Sequence, residues 1–66
     1  MKFDFPSLMG KNIKLKDLDD RIFIGQATSL ETPDDSEDGQ WYLDVDVPKF
    51  GILNISESEI KSIEII

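Results

Sequence analysis

Carboxylates are the only abundant side chains in this sequence that bear on chemistry. Asp and Glu number 14, whereas His and Cys are absent. General acid–base catalysis near neutral pH depends most often on His, and covalent catalysis requires a nucleophile beside a base. The acidic pairs, such as Asp19 and Asp20, fall in predicted turns rather than beside a nucleophile. The sequence therefore predicts a protein that is not an enzyme and has no catalytic residues.

Seven of the acidic residues lie between positions 31 and 46, where no basic residue occurs. The pattern Asp-x-Ser-x-Asp-Gly over residues 34–39 has the spacing of the first half of an EF-hand calcium loop. The twelfth position of such a loop is Val45 rather than a bidentate Glu, and no flanking helices are predicted. We therefore expect no metal and no cofactor, and we interpret residues 31–40 as an acidic hairpin loop.

This acidic loop is a candidate surface for a basic protein partner. Trp41 alternates with Tyr42 at the start of a strand, so one ring points inwards and the other outwards. Trp41 shares its face with aliphatic residues, which predicts that Trp41 lies in the core and that Tyr42 is exposed. The alternative is an ordinary solvated loop, which most charge runs are. The candidate partner-binding residues are Asp34, Asp35, Glu37, Asp38 and Tyr42.

The charge is distributed unevenly and disfavours nucleic acid as a partner. The formal net charge is −7, yet residues 1–21 carry +1 and residues 22–66 carry −8. Lys11, Lys14 and Lys16 form the only basic cluster. Nucleic-acid-binding proteins present a basic face because phosphate contacts supply most of their affinity. We expect these lysines to pair with nearby carboxylates.

Short alternating strands are predicted to position these residues within a single domain, residues 1–66. A helical turn is expected over residues 3–9. The run Ile22, Phe23, Ile24 predicts burial on both faces, and Gly25 indicates a bend or bulge. Five short strands with brief connections are typical of a small all-β barrel, which pairs edges that would otherwise aggregate. The predicted strands cover residues 12–16, 21–30, 41–47, 52–55 and 60–66.

No apolar run approaches the roughly 20 residues that span a bilayer. The first six residues also lack the apolar stretch of a signal peptide. The absence of Cys is typical of chains that need no disulfide. We therefore expect no membrane association and a cytoplasmic location.

The order of these features resembles that of the Sm-like (LSM) domains, within the wider SH3-like barrels. The segment from Leu8 to Leu15 is similar to the family's short helix, glycine and first strand, and Ile24 with Gly25 matches the glycine of strand two. The segment from Gly51 to Ile66 is similar to the closing strands. The chain also resembles small, uncharacterised bacterial LSM-type proteins with an acidic central loop. The resemblance implies a five-stranded SH3-like barrel that begins with a short helical turn.

The departures from the family pattern bear on function. RNA-binding Sm proteins carry an Asp-x-x-Met-Asn signature after strand two and an Arg-Gly turn between strands four and five. Here the first position holds the acidic loop, and the second holds Ser56, Glu57 and Ser58. The resemblance therefore supplies no RNA-contacting residues to this chain.

The last two strands are rich in β-branched residues and carry the main functional signal. In Sm-like rings, strand four of one subunit pairs with strand five of the next, and an apolar edge is a template for such pairing. Closure of the barrel within one chain is the alternative. We predict a non-catalytic Sm-like module that self-associates and presents an acidic surface, with an RNA- or DNA-binding Sm-type protein as the second hypothesis. The predicted interface residues are Ile52, Leu53, Ile55, Ile63 and Ile65.

Overall fold

The computed structural model describes residues 2–66 as five strands and two single 3-10 turns. The first 3-10 turn spans Phe5–Leu8 and the second spans Glu57–Glu59. This confirms the prediction of a small, mostly β domain with five strands and a short N-terminal helical turn. No helix within residues 2–66 has the length and apolar character needed to cross a membrane. The strands are Asn12–Asp17 (β1), Ile22–Glu31 (β2), Tyr42–Val47 (β3), Gly51–Ser56 (β4) and Ile60–Ile65 (β5).

All five strands form one antiparallel sheet in the order β4-β3-β2-β1-β5. The ten-residue strand β2 serves both halves of this sheet. Its first half pairs with β1 and its second half with β3, and Gln26 is the residue that pairs with both. The register shifts between Ala27 and Ser29. A bulge of this kind bends a strand and increases its twist, so β2 turns the sheet.

Gly25 of β2 lies close to the backbone of β3 at Asp46. A Cβ atom at this position would overlap the carbonyl oxygen of Asp46. Only glycine therefore fits without a shift of backbone. The bend or bulge predicted at Gly25 lies slightly later in β2, between Ala27 and Ser29. Glycine is required at position 25 by the close approach of Asp46.

The sheet curls so that its two outer strands meet at one corner. In a flat sheet, four strand spacings would hold β4 and β5 about 19 Å apart. The chain nevertheless passes from β4 to β5 through the single turn Glu57–Glu59, which rises only about 2 Å per residue. Within residues 2–66, however, β4 pairs only with β3, and β5 pairs only with β1. The predicted alternative of closure by β4–β5 pairing inside one chain is therefore not formed.

The inner face of the curled sheet encloses the core, and the first 3-10 turn covers one end of it. Phe5 and Leu8 from this turn are buried. The ring of Phe5 meets the ring of Trp41 edge to face, with centroids 6.4 Å apart. Trp41 is half-buried and packs against the core, as its alternation predicts. The buried apolar residues are Phe5, Leu8, Ile13, Leu15, Ala27, Leu43, Val45, Ile55 and Ile60.

The predicted burial of Ile22, Phe23 and Ile24 on both faces is wrong. Ile22 and Ile24 are 50% and 51% exposed, and Phe23 is half-buried. Phe23 points to the inner face because it pairs with the buried Leu15. Its neighbours point to the outer face, where β1 offers only lysines as cross-strand partners. In β2, three successive apolar residues thus belong to a strand whose inner face packs towards the core and whose outer face is partly exposed to solvent.

Candidate functional site

The acidic residues of the loop and of the neighbouring strands form an open groove on the outer face of the sheet. We call it the acidic groove; its volume is about 430 Å³. β2 ends in the groove, β3 and β4 supply its floor, and the loop between β2 and β3 forms its wall. Its lining residues are Glu31, Asp35, Glu37, Asp38, Tyr42 and Asn54.

Tyr42 and Asp38 form the central contact of the groove. The Tyr42 hydroxyl donates to Oδ2 of Asp38 at 2.5 Å, at the short end of O–H···O bonds. The bond from Tyr42 stabilises the ionised carboxylate and holds the pKa of Asp38 below its ordinary value. The same bond raises the pKa of Tyr42, because loss of the phenolic proton would place two negative charges together. The carboxylate therefore stays ionised in the groove, and the phenol stays neutral.

Hydrogen bonds from polar side chains order the loop that forms the wall. The Ser36 hydroxyl donates to the Gln40 carbonyl at 2.8 Å, and the Gln40 backbone N–H donates to Asp38 at 3.2 Å. Thr32 begins the loop and donates to the Asp35 carboxylate at 3.3 Å. The Ser58 hydroxyl, from the second 3-10 turn, donates to the Gln40 side-chain oxygen at 2.6 Å. The loop is thus ordered by bonds within it, and Gln40 near its end is bonded to the second 3-10 turn.

Asp44 organises the floor of the groove. One of its carboxylate oxygens accepts from the Asn54 side chain at 2.7 Å, and the other accepts from the Ser29 hydroxyl at 2.7 Å. These three residues lie on β2, β3 and β4, so one carboxylate links three strands on the outer face. Because both carboxylate oxygens of Asp44 accept hydrogen bonds from within the chain, Asp44 positions Asn54 in the groove rather than contacting a ligand itself.

The half EF-hand pattern of residues 34–39 does not gather ligands for a cation. The Ser36 hydroxyl is turned towards backbone carbonyls, with Gln40 as its nearer acceptor. Within the part of the chain that the structure describes, no group of three or more carboxylates converges on one point.

The structure brings most of the predicted partner-binding residues together. Asp35, Glu37, Asp38 and Tyr42 line the groove, whereas Asp34 is exposed and lies outside its lining. Glu31 and Asn54 are not among the predicted partner-binding residues, although Glu31 begins the predicted acidic loop; both enter the groove through strand pairing. Glu31 is the cross-strand partner of Tyr42, and Asn54 is that of Asp44. A correct end for β2 would have revealed Glu31, but the predicted strand stops at residue 30.

The β4 edge exposes part of the predicted interface. Ile52 is 61% exposed, Leu53 is half-buried, and Ile55 is buried in the core. The backbone N–H of Glu57 donates to the Trp41 carbonyl at 2.9 Å. Since ladder bonds alternate along an antiparallel pair, the backbone groups of Ile52 face away from β3. Ile55 contributes to the edge only through its position in the strand, because its side chain fills the interior.

The β5 edge has the same character. Ile65 is 57% exposed and Ile63 is half-buried, although both share the inner face with Ile13 and Leu15 of β1. The Ile66 backbone N–H donates to the Asn12 carbonyl at 3.0 Å. By the same alternation, the backbone groups of Ile63 and Ile65 face away from β1. Inner-face side chains therefore remain partly uncovered along this unpaired edge.

Several basic side chains are paired with carboxylates. The Lys61 ammonium lies 2.7 Å from Asp20, and the Arg21 guanidinium lies 2.8 Å from Asp17. Lys14 approaches Glu64 to 3.9 Å. The prediction that Lys11, Lys14 and Lys16 pair with carboxylates holds, among residues 2–66, for Lys14 alone.

Comparison of the chain with protein-family models, with curated proteins and with solved structures found no match.

Proposed function

We propose that this protein is a non-catalytic, cytoplasmic Sm-like interaction module that self-associates and presents an acidic surface to a protein partner. The β4 edge of one copy pairs with the β5 edge of the next. The observation that supports this most strongly is that β4 and β5 are both unpaired edges of one curled sheet, each with a half-exposed isoleucine. The acidic groove remains outside this contact and is the surface for a partner.

Edge pairing satisfies groups that the single chain leaves open. An unpaired strand presents a row of N–H and C=O groups that another strand can bond. Natural edges are blunted by Lys, Pro or bulges, whereas the ends of β4 and β5 carry Ile52 and Ile65. Pairing would also cover the inner-face side chains of Leu53 and Ile63, which are half-buried in one chain. A contact between different edges is head-to-tail, so repeated pairing closes into a ring or extends.

The acidic groove is suited to a basic partner because it is both charged and ordered. Asp38 is held ionised by Tyr42, and hydrogen bonds from the loop fix the wall. An ordered site loses less conformational entropy on binding than a mobile loop does. Lysine or arginine side chains of a protein supply the cations that such a groove binds.

Two edge variants and their mixture test the self-association. In Ile52→Lys the β4 edge is charged and β5 is intact, whereas Ile65→Lys has the opposite defect. At high salt, we expect sedimentation velocity to show each variant as a monomer where the wild type assembles. An equimolar mixture should form a heterodimer, since one variant supplies an intact β4 and the other an intact β5. Leu18→Lys, a change of an exposed turn residue with the same charge, is the control and should assemble like wild type.

Other outcomes contradict head-to-tail pairing. A dimer of Ile65→Lys alone that persists at high salt would show that β4 pairs with β4. A mixture that remains monomeric would show that the two edges do not recognise each other. A wild type that is monomeric at all concentrations would remove the self-association altogether.

The groove is tested separately with a tetralysine peptide. We expect its addition to shift the amide resonances of Asp38 and Tyr42 in the protein, and the variant Asp35→Asn/Glu37→Gln should bind the peptide more weakly. Asp4→Asn/Glu64→Gln has the same net charge and leaves the groove unchanged, so it should bind like wild type. Salt-dependent binding of a single-stranded oligonucleotide would instead favour an RNA- or DNA-binding Sm-type protein.

A further inference from the structure

The outer face of β1 and of the first half of β2 carries a surface that is both apolar and cationic. We call it the lysine–isoleucine face. Lys14 lies directly across from Ile24, and Lys16 lies across from Ile22. Cross-strand neighbours are only about 5 Å apart, so the four side chains form one continuous surface. Both isoleucines are half-exposed although they lie in a central strand rather than at an edge.

The two lysines leave positive charge available on this face. Lys16 has no ion-pair partner among residues 2–66, and Lys14 reaches Glu64 only at 3.9 Å. Residues two apart on a strand are about 7 Å apart on the same face. The face therefore presents two lysine side chains, two residues apart on β1, beside two isoleucines of β2.

The complementary surface is the acidic groove of the same protein. Glu31 and Glu37 of the groove are exposed and form no ion pair within the described residues. The ring of Tyr42 supplies an apolar floor beside them. The groove lies on the half of the curled sheet formed by β3 and β4, whereas the lysine–isoleucine face lies on β1 and β2. The two surfaces lie on different halves of the sheet and carry opposite charges. A contact between them can therefore form between two copies of the chain.

We propose that the acidic groove binds the lysine–isoleucine face of a second copy of this chain. The proposal rests on the acidic surface of the proposed function and names its partner. Charge complementarity favours the second copy, because it presents two half-buried lysines beside two exposed isoleucines, and the groove presents carboxylates beside an aromatic ring. The contact is separate from edge pairing, since it uses side chains on the outer face of the sheet and leaves the backbone edges of β4 and β5 free.

Charge reversal in an edge-blocked protein tests this contact. The parent is Ile65→Lys, in which β4–β5 pairing between copies is prevented. We expect sedimentation to show weak self-association of the parent at millimolar concentration. This association should be lost when the salt concentration is raised, because exposed ion pairs are screened. Added Lys14→Glu/Lys16→Glu changes should weaken it about tenfold or more, because two attractive exposed pairs become repulsive.

The groove variant Glu31→Lys/Glu37→Lys in the same parent should lose self-association for the same reason. An equimolar mixture of the two charge-reversed proteins should associate again, because each then offers the surface that the other requires. Lys11→Glu/Lys49→Glu matches the charge of the first variant outside the face and should behave as the parent. Ile22→Thr/Ile24→Thr keeps β-branched residues and every charge, and it should also weaken the association. Circular dichroism confirms that each variant is folded, and Lys14→Gln/Lys16→Gln replaces the reversal should it unfold the chain.

The outcomes separate this inference from the proposed function. A mixture of charge-reversed proteins that stays monomeric, or a parent that is monomeric at low salt, overturns the inference. Tetralysine binding to the groove in that same parent would then leave the acidic surface intact as the site of a different, basic protein. Loss of tetralysine binding as well would remove both.

Discussion

The Tyr42 hydroxyl donates to the Asp38 carboxylate at 2.5 Å and thereby joins β3 to the acidic loop. The two residues are four apart in sequence, and both line the groove. It fixes the position of one carboxylate and keeps that carboxylate ionised. The electrostatics of the groove therefore depend on a neutral phenol as well as on the acids.

Removal of this hydroxyl should be visible in the titration of Asp38. We expect Tyr42→Phe to return the pKa of Asp38 towards its ordinary value, because the largest influence that lowers it is the bond from Tyr42. NMR detection of the side-chain carboxyl carbon measures this. The pKa of Asp20, which the Lys61 ammonium lowers, serves as an internal control and should not change. An unaltered Asp38 titration would show that the hydroxyl does not hold the carboxylate.

The buried carboxylate of Asp17 should make stability fall in acid. Burial tends to raise the pKa of Asp17, but hydrogen bonds from the backbone N–H and side chain of Arg21 and from the Asp19 N–H outweigh it and lower the pKa. A carboxylate whose pKa is lowered in the folded state contributes stability at pH values above its ordinary pKa of 3.8. This contribution is lost as the pH falls below that value. The urea midpoint should therefore decrease from pH 5 to pH 2.

The variant Asp17→Asn tests the assignment of this effect. We expect a lower urea midpoint than that of wild type near pH 6 and a smaller decrease in acid. Asp34→Asn changes an exposed loop aspartate and should leave the midpoint close to that of wild type. Equal pH dependence in wild type and Asp17→Asn would place the acid sensitivity at other carboxylates.

Substitution of Gly25 should destabilise the sheet where β2 and β3 approach. An added methyl group would overlap the Asp46 carbonyl oxygen, and overpacking of this kind costs about 1–3 kcal/mol. Urea denaturation of Gly25→Ala measures the loss in the free energy of unfolding. Ser62→Ala on the exposed face of β5 is the control and should stay within about 0.5 kcal/mol of wild type. A Gly25→Ala protein as stable as wild type would show that the strands can separate there without cost.

The first 3-10 turn should depend on Phe5 for its attachment. A turn of four residues is not stable alone, and Phe5 is fully buried against Trp41. We expect Phe5→Ala to lower the free energy of unfolding by about 3–5 kcal/mol and to shift Trp41 fluorescence to longer wavelength. Phe50→Ala removes an exposed ring of the same type and should cost much less. If both changes had the same effect, the turn would not be anchored by Phe5.

The alternating strands could be predicted from the sequence because one face of each is apolar. The inward direction of Leu43 and Val45 follows from their period of two, and the bend near Gly25 follows from a glycine inside a strand. The outer exposure of Ile22 and Ile24 could not be predicted in this way. Consecutive apolar residues do not reveal whether a second layer covers the outer face.

The candidate site was only partly predictable because its members meet through strand register. Glu31 and Asn54 enter the groove as cross-strand partners of Tyr42 and Asp44. Composition showed that the loop is acidic, but the bonds that order it through Ser36 and Gln40 depend on side-chain positions. Likewise, the burial of Ile55 beside an exposed Ile52 depends on which face of β4 meets the core.

Sedimentation equilibrium of the wild type from low micromolar to millimolar concentration tests the central claim most directly, with Ile65→Lys measured alongside. We predict that the mass of the wild type increases with concentration well above that of one 7.5 kDa chain, while Ile65→Lys forms no assembly that persists at high salt. A wild type that remains a single chain throughout this range contradicts the claim that β4 and β5 are edges for one another.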